Sequence, residues 1–270
     1  TFMDAKEAGC EIIVLDPHFS TTASKADQWI PIQPGCDAAF YLGMTTYILD
    51  NKLYDEQFVL EHTSLPFLMN AETGEMLREG KEWGVDEETG EPVDPGDFMV
   101  WDLTVGKAVP YSSAISTAAL EGEFDIDGVK ATTAFSNLKK NQAQYTTEWA
   151  AGVTGIDAAT IEEVARKYAT NGPAYLVFGQ GGSDKYSNPD IIGHAGMVLT
   201  ALTGNIGKPG SGIGHTIGGA GYGVALGEWK LPEQFKPAEL DVRADRFPTR
   251  ENDVHVIISL GNTFQQYWAN

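Results

Sequence analysis

Two carboxylates stand where a ligand could be read. Asp16 ends the apolar run Glu11-Ile12-Ile13-Val14-Leu15, and Asp37 follows the turn Pro34-Gly35-Cys36. A carboxylate offers two acceptor oxygens, matching the paired N1–H and N2–H2 donors on one edge of guanine; adenine has no such pair. Each residue also has a simpler role. Asp37 opens a helix, where capping is the first expectation, and Asp16 can serve as a strand-ending turn alone. A third segment, Gly179-Gln180-Gly181-Gly182-Ser183-Asp184, begins like a dinucleotide-binding glycine loop but carries Asp184 where the third glycine belongs. Gly207-Lys208-Pro209 lacks both the spacing and the hydroxyl of a phosphate-binding P-loop.

Dedicated catalytic equipment is sparse. The sequence has no H-E-x-x-H, no G-x-S-x-G and no closely spaced Cys/His cluster. His18, His62, His194, His215 and His255 are scattered, and only His18 adjoins one of the two carboxylates. Cys10 and Cys36 form no C-x-x-C pair for zinc or an iron–sulfur cluster, and read as small buried or half-buried residues.

The elements that would position these residues alternate between strand and helix. The run 11–15 and the stretch Ala174–Phe178 suit strands buried on both faces of a parallel sheet, as does Val254–Leu260. Trp29-Ile30-Pro31-Ile32 is a shorter strand, followed by a helix over 37–49. Asp157 is placed to cap a helix with Ile161, Val164, Ala165 and Tyr168 on one stripe, ended by Asn171-Gly172-Pro173. A further helix is expected over 189–202. Between 65 and 110 the turn clusters Glu72-Thr73-Gly74, Glu88-Thr89-Gly90 and Asp94-Pro95-Gly96 predict an acidic, hairpin-rich insertion. Three strands that run straight into polar or glycine loops point to a nucleotide-like ligand at their carboxyl ends.

Composition narrows the classes. Across 270 residues, 18 Lys and Arg oppose 38 Asp and Glu, a formal net charge of −20. A nucleic-acid binder needs cations to displace counterions from phosphates, so that class is excluded. The 42% hydrophobic and 10% aromatic content excludes a disordered acidic tail. No apolar run reaches the roughly 18 residues a membrane-spanning helix needs. The chain opens at Thr1-Phe2-Met3 in what reads as the middle of a helix and closes at Trp268-Ala269-Asn270 just after a strand, and so is expected to be a piece of a longer protein.

The ordered motifs also carry a resemblance. Val14-Leu15-Asp16-Pro17-His18, Ala26-Asp27 and Pro34-Gly35-Cys36-Asp37-Ala38-Ala39 resemble the molybdenum-dependent oxidoreductases of the dimethyl sulfoxide reductase family, with their V-D-P-R…A-D…P-G-T-D-x-A pattern. Tyr145–Ala150, Thr154-Gly155-Ile156, Leu202–Gly210 and Gly261-Asn262 extend the similarity in order. His18 replaces the usual Arg, Cys36 the usual Thr, Lys185 a common Gln, and Thr263 the usual Pro.

The resemblance implies an α/β fold: a Rossmann-like, doubly wound, mostly parallel sheet over 1–206, with the 65–110 insertion, then the start of a second α/β domain over 207–270. It implies bis-molybdopterin guanine dinucleotide as the cofactor. Asp16, Pro17, His18, Phe19, Ser20, Gly35, Cys36 and Asp37 would hold one guanosine end. Gly181, Gly182 and Lys185 would approach the pterin or pyrophosphate, and Asn262 the other nucleotide. The metal ligand and a 4Fe-4S cluster would lie upstream of Thr1, and an electron-transfer subunit would be the partner. A nicotinamide or flavin dehydrogenase domain using the Gly179 loop, and a non-catalytic acidic docking module, remain open on the residues alone.

Overall fold

The computed structural model describes residues 2–80, 84–85, 89, 92–93, 96–179, 186 and 189–215. A short helix α1 (Phe2–Glu7) ends at Gly9, whose φ of +93° suits a residue without a Cβ. Strands β1 (Ile13–Leu15) and β2 (Gln28–Ile30) then pair in parallel, Ile13 opposite Gln28 and Leu15 opposite Ile30. Asp27 aligns their starts. Its carboxylate accepts from the Ile12 amide at 2.9 Å and meets the Lys6 ammonium at 2.9 Å. The Lys6 contact and the Ile12 amide hold that carboxyl below the usual range.

Helix α2 (Asp37–Asp50) is the central element. Phe40, Met44, Ile48, Leu49, Thr45 and Thr46 are all buried, so the helix is covered on most sides. Helix α3 (Glu56–His62) follows, with Asp55 accepting from the Phe58 amide at 3.0 Å as its cap.

The hairpin region comes next: β3 (Leu68–Asn70), β4 (Gly84–Val85), β5 (Pro92–Val93), β6 (Met99–Asp102), β7 (Lys107–Pro110), β8 (Glu123–Ile126) and β9 (Val129–Thr133). All its pairings are antiparallel: β4 with β5, β6 with β7, and β9 between β3 and β8. The antiparallel region therefore continues from the segment read at 65–110 as far as Thr133. The β8–β9 turn carries Asp127 and Gly128 at φ +52° and +88°, the left-handed pair that a two-residue hairpin requires.

Helices α4 (Ala134–Gln142), α5 (Thr147–Thr154) and α6 (Ala158–Thr170) follow. Thr133 caps α4 through the Ser136 amide, and Thr146 caps α5 through the Trp149 amide. Asp157 takes the cap position of α6 without a side-chain cap bond. Strand β10 (Tyr175–Phe178), helix α7 (Pro189–Leu202) and strand β11 (Gly212–His215) complete the described chain, with β10 and β11 parallel. Ile30, Phe40, Met44, Ile48, Ile161, Leu176 and Leu199 form the main core, where α2 meets α5, α6 and α7.

The fold is mixed α/β, as expected, but built from several small sheets. Two are parallel pairs; among the described residues no single sheet joins them. β10 is covered on one face only: Leu176 is buried, while Tyr175 and Val177 are 56% and 70% exposed. A continuous apolar run does not reveal whether both faces of the sheet are packed, which is why the strand reads as buried from its sequence. Cys10 is exposed rather than buried, and Cys36 is half-buried. The Val254–Leu260 strand lies outside the described residues.

Candidate functional site

Asp16 extends the β1–β2 ladder by one bond, its amide donating to the Ile30 carbonyl at 3.2 Å. Pro17 cannot donate and ends the strand there. The loop beyond it is well ordered by hydrogen bonds. Asp16 Oδ1 accepts from the His18 amide at 2.9 Å, and the Ser20 amide donates to the His18 carbonyl at 2.7 Å. Ser20 Oγ accepts from the Ala23 amide at 3.2 Å. Asp16 Oδ2 meets no hydrogen-bond donor among the described residues. Trp29 braces the turn from β2: its indole N–H donates to the Asp16 carbonyl at 2.8 Å. The Phe19 ring stands edge-on to Trp29, with centroids 5.1 Å apart and planes at 71°. Pro17, His18 and Phe19 are exposed, whereas Asp16 and Ser20 are half-buried.

The second predicted turn follows β2. Gln33 donates its amide to the Thr154 carbonyl at the end of α5 (2.9 Å), and Cys36 donates to the Gln33 carbonyl (3.2 Å). Gly35 takes φ +82°. Capping is the simpler expectation for Asp37, but Cys36 holds the cap position, with no side-chain cap bond, and Asp37 is the first helical residue. The Asp37 side chain is half-buried. Burial pushes it above the usual carboxylate range, partly offset by its own amide, and no other donor among the described residues meets it. Its charge is felt nearby. The Cys36 thiol is pushed up by burial and by Asp37, and the half-buried Tyr41 phenol by burial, Asp37 and Tyr168.

Gly181, Gly182, Lys185 and Asn262 lie outside the described residues. Tyr186, directly after that glycine loop, packs its ring on Gly35. Among the described residues, Asp16–Ser20 thus follow β1 directly, while the Gly35–Asp37 turn joins β2 to α2 with Tyr186 against it. Sequence reasoning missed Trp29, Tyr41 and Tyr186. A Trp placed in a short strand beside an Asp-Pro strand end was the available signal for the first, since a half-buried indole N–H needs an acceptor. Nothing in the sequence pointed to the other two.

A family model described as molybdopterin oxidoreductase matches residues 1–266. The chain belongs to the molybdopterin oxidoreductase family. Membership implies a molybdenum–pterin cofactor. The alpha chain of the perchlorate reductase of Dechloromonas aromatica is 35% identical over 251 residues, covering 80% of this chain and 26% of that protein. A putative dimethyl sulfoxide reductase catalytic subunit of Halobacterium salinarum is 30% identical, covering 98% of this chain and 32% of that protein. This molybdopterin oxidoreductase chain therefore spans about a quarter to a third of the length of these relatives. Among solved structures, acetylene hydratase from Pelobacter acetylenicus is similar at 25% identity and a TM-score of 0.45, over 75% of this chain and 18% of that one.

Proposed function

We propose that this chain is the part of a molybdopterin oxidoreductase catalytic subunit that anchors a guanosine end of bis-molybdopterin guanine dinucleotide. The observation that carries the reading is Asp37, a half-buried carboxyl beside a glycine turn whose only donor among the described residues is its own amide. A half-buried acceptor in that state suits a ligand that brings paired N–H donors, and the second oxygen of Asp16 likewise meets no donor among the described residues.

In this reading Asp16, Pro17, His18, Phe19 and Ser20 form one wall. Gly35, Cys36 and Asp37 form the other, and Gly181, Gly182, Lys185 and Asn262 contact the remainder of the cofactor. The parallel pair β1–β2, followed by a proposed contact segment, supports a Rossmann-like domain at the start of the chain; the pairing of β10 with β11 carries that domain past the boundary expected at 206, so the second α/β domain is proposed to begin after His215. When bound, the cofactor supplies the molybdenum centre at which oxygen-atom or electron-pair transfer takes place in the whole enzyme. The residues of this chain supply binding and orientation, not bond-making. The 4Fe-4S cluster belongs to the polypeptide preceding this segment. An electron-transfer subunit is the proposed partner, in keeping with relatives named as subunits. The family match lends no support to a nicotinamide or flavin dehydrogenase domain or to a non-catalytic docking module.

The test is cofactor retention. Asp16→Ala and Asp37→Ala in the full-length protein should each lower the GMP released per protein on acid hydrolysis, and the double variant should lower it further. Molybdenum and GMP contents equal to wild type in the double variant would overturn the reading.

A further inference from the structure

Phe19 is a large apolar ring that is 54% exposed, yet it sits on a loop whose backbone is well tied down. Its edge-on contact with Trp29 fixes one side of the ring and leaves the rest open to solvent. Trp29 itself is half-buried in β2 opposite Val14 and commits its indole N–H to the Asp16 carbonyl. One side chain therefore sets two things at once: the position of the exposed Phe19 ring, and the backbone carrying the Asp16 carboxylate with its available oxygen. An exposed aromatic face and an acceptor that no donor among the described residues meets, both held by one indole, form the arrangement that reads a planar base, by stacking on its face and hydrogen bonding at its edge.

We infer that Phe19 is the stacking platform for the purine and that Trp29 is the positioning residue that holds Phe19 and Asp16 in register with it. This rests on the guanosine-anchoring reading and adds a division of labour: Phe19 supplies base-independent affinity, and Asp16, braced by Trp29, supplies discrimination by the base edge. Stacking tolerates any base because every base has a π-face, whereas the 2-amino group separates guanine from hypoxanthine only through an acceptor at the edge.

The experiment is calorimetric titration of the cofactor-free full-length protein with GMP, IMP and ribose 5-phosphate. Wild type should bind GMP more tightly than IMP, and IMP more tightly than ribose 5-phosphate. Phe19→Leu should weaken GMP and IMP equally, by about ten-fold, and Phe19→Trp should restore both. Trp29→Phe keeps a ring beneath Phe19 but removes the N–H, so it should shrink the GMP-over-IMP ratio while leaving IMP affinity near wild type. Phe19 is exposed and its replacement by Leu leaves the core intact, so that arm does not depend on a fragile fold. If wild type shows no preference for GMP over ribose 5-phosphate, the anchoring reading itself fails. If that preference holds while Phe19→Leu binds as wild type, or Trp29→Phe leaves the GMP/IMP ratio unchanged, the anchoring reading stands and the roles given to Phe19 and Trp29 fall.

Discussion

A Cβ on Gly35 would stand 2.7 Å from Cδ1 of Tyr186, a separation that side chains essentially never adopt. The glycine also takes φ +82°, so two independent constraints fall on one position. Gly35→Ala is predicted to lose about 1–2 kcal/mol to the left-handed backbone alone, and more from displacing the Tyr186 ring. Urea unfolding of Gly35→Ala, Tyr186→Ala and the double variant separates the two. The double variant should recover the steric part and keep the backbone part. Strict additivity would show that the ring does not press on the turn in solution.

Asp37 gives the stability of the cofactor-free protein a particular pH dependence. Burial raises its carboxyl above the ordinary range, so the folded chain holds that proton more tightly than the unfolded chain. The resulting stabilisation is fully present below the unfolded carboxylate pKa and is lost as pH rises through the folded value. Asp37→Asn removes that loss. Without cofactor, the variant should unfold at a higher urea concentration than wild type near neutral pH, with the gap closing in acid, while its affinity for GMP falls. A lower midpoint at neutral pH would mean that the carboxylate already has a donor partner in the folded chain.

How much of this was legible beforehand differs from residue to residue. Helix α2 was readable because Pro34-Gly35 marks its start and a dense apolar run follows. The sequence also located the Asp16 and Gly35–Asp37 turns, since Pro and Gly punctuate them. Ala26-Asp27 was legible as a family signature, but its work was not: Asp27 pins the Ile12 amide and the Lys6 ammonium, and neither partner is its neighbour in sequence. The β8–β9 hairpin was available and overlooked. Glu123-Phe124-Asp125-Ile126 alternates exposed and half-buried residues before Asp127-Gly128, a period-two run ending in a favoured turn. One-sided cover of β10 was not available, because it depends on elements that pair or fail to pair far along the chain.

Two glycines on the α2–α5 pair should respond differently to alanine. A Cβ on Gly43 would meet the Ala150 Cβ at 2.6 Å, so the two helices approach through a missing side chain. Alanine gains about 1 kcal/mol of helix propensity there, but overpacking typically costs about 1–3 kcal/mol. Gly43→Ala is therefore predicted to be neutral to destabilising, and Gly43→Leu strongly destabilising. On α5, a methyl group at Gly152 would find nothing within 4 Å, and Gly152→Ala should stabilise by about 0.5–1 kcal/mol. Thermal unfolding of the three variants checks the ordering; a stabilising Gly43→Leu would refute the close approach.

Asn205 is the tether between the helical core and the strand that leads to the glycine loop. Its side chain is 4% exposed. Oδ1 accepts from the Ala174 amide at 2.9 Å, and Nδ2 donates to the Tyr168 carbonyl at 3.3 Å and to Thr203 Oγ1 at 2.9 Å. One amide thus joins the last turns of α6, the start of β10 and the turn after α7. Asn205→Ala orphans a backbone donor in a part-buried setting and removes the other two bonds, an expected loss of about 2–4 kcal/mol. Asn205→Asp keeps the acceptor facing Ala174 but supplies no donor and places a charge in the interior, so it should do no better at neutral pH. Thr203→Val removes one acceptor of the same cluster and should cost about 1 kcal/mol. Amide hydrogen exchange gives the local readout: in Asn205→Ala, protection at Ala174 should fall by more than the global loss of stability accounts for. Equal losses for Asn205→Ala and Thr203→Val, with no excess exchange at Ala174, would mean that β10 is held by its pairing with β11 and not by this side chain.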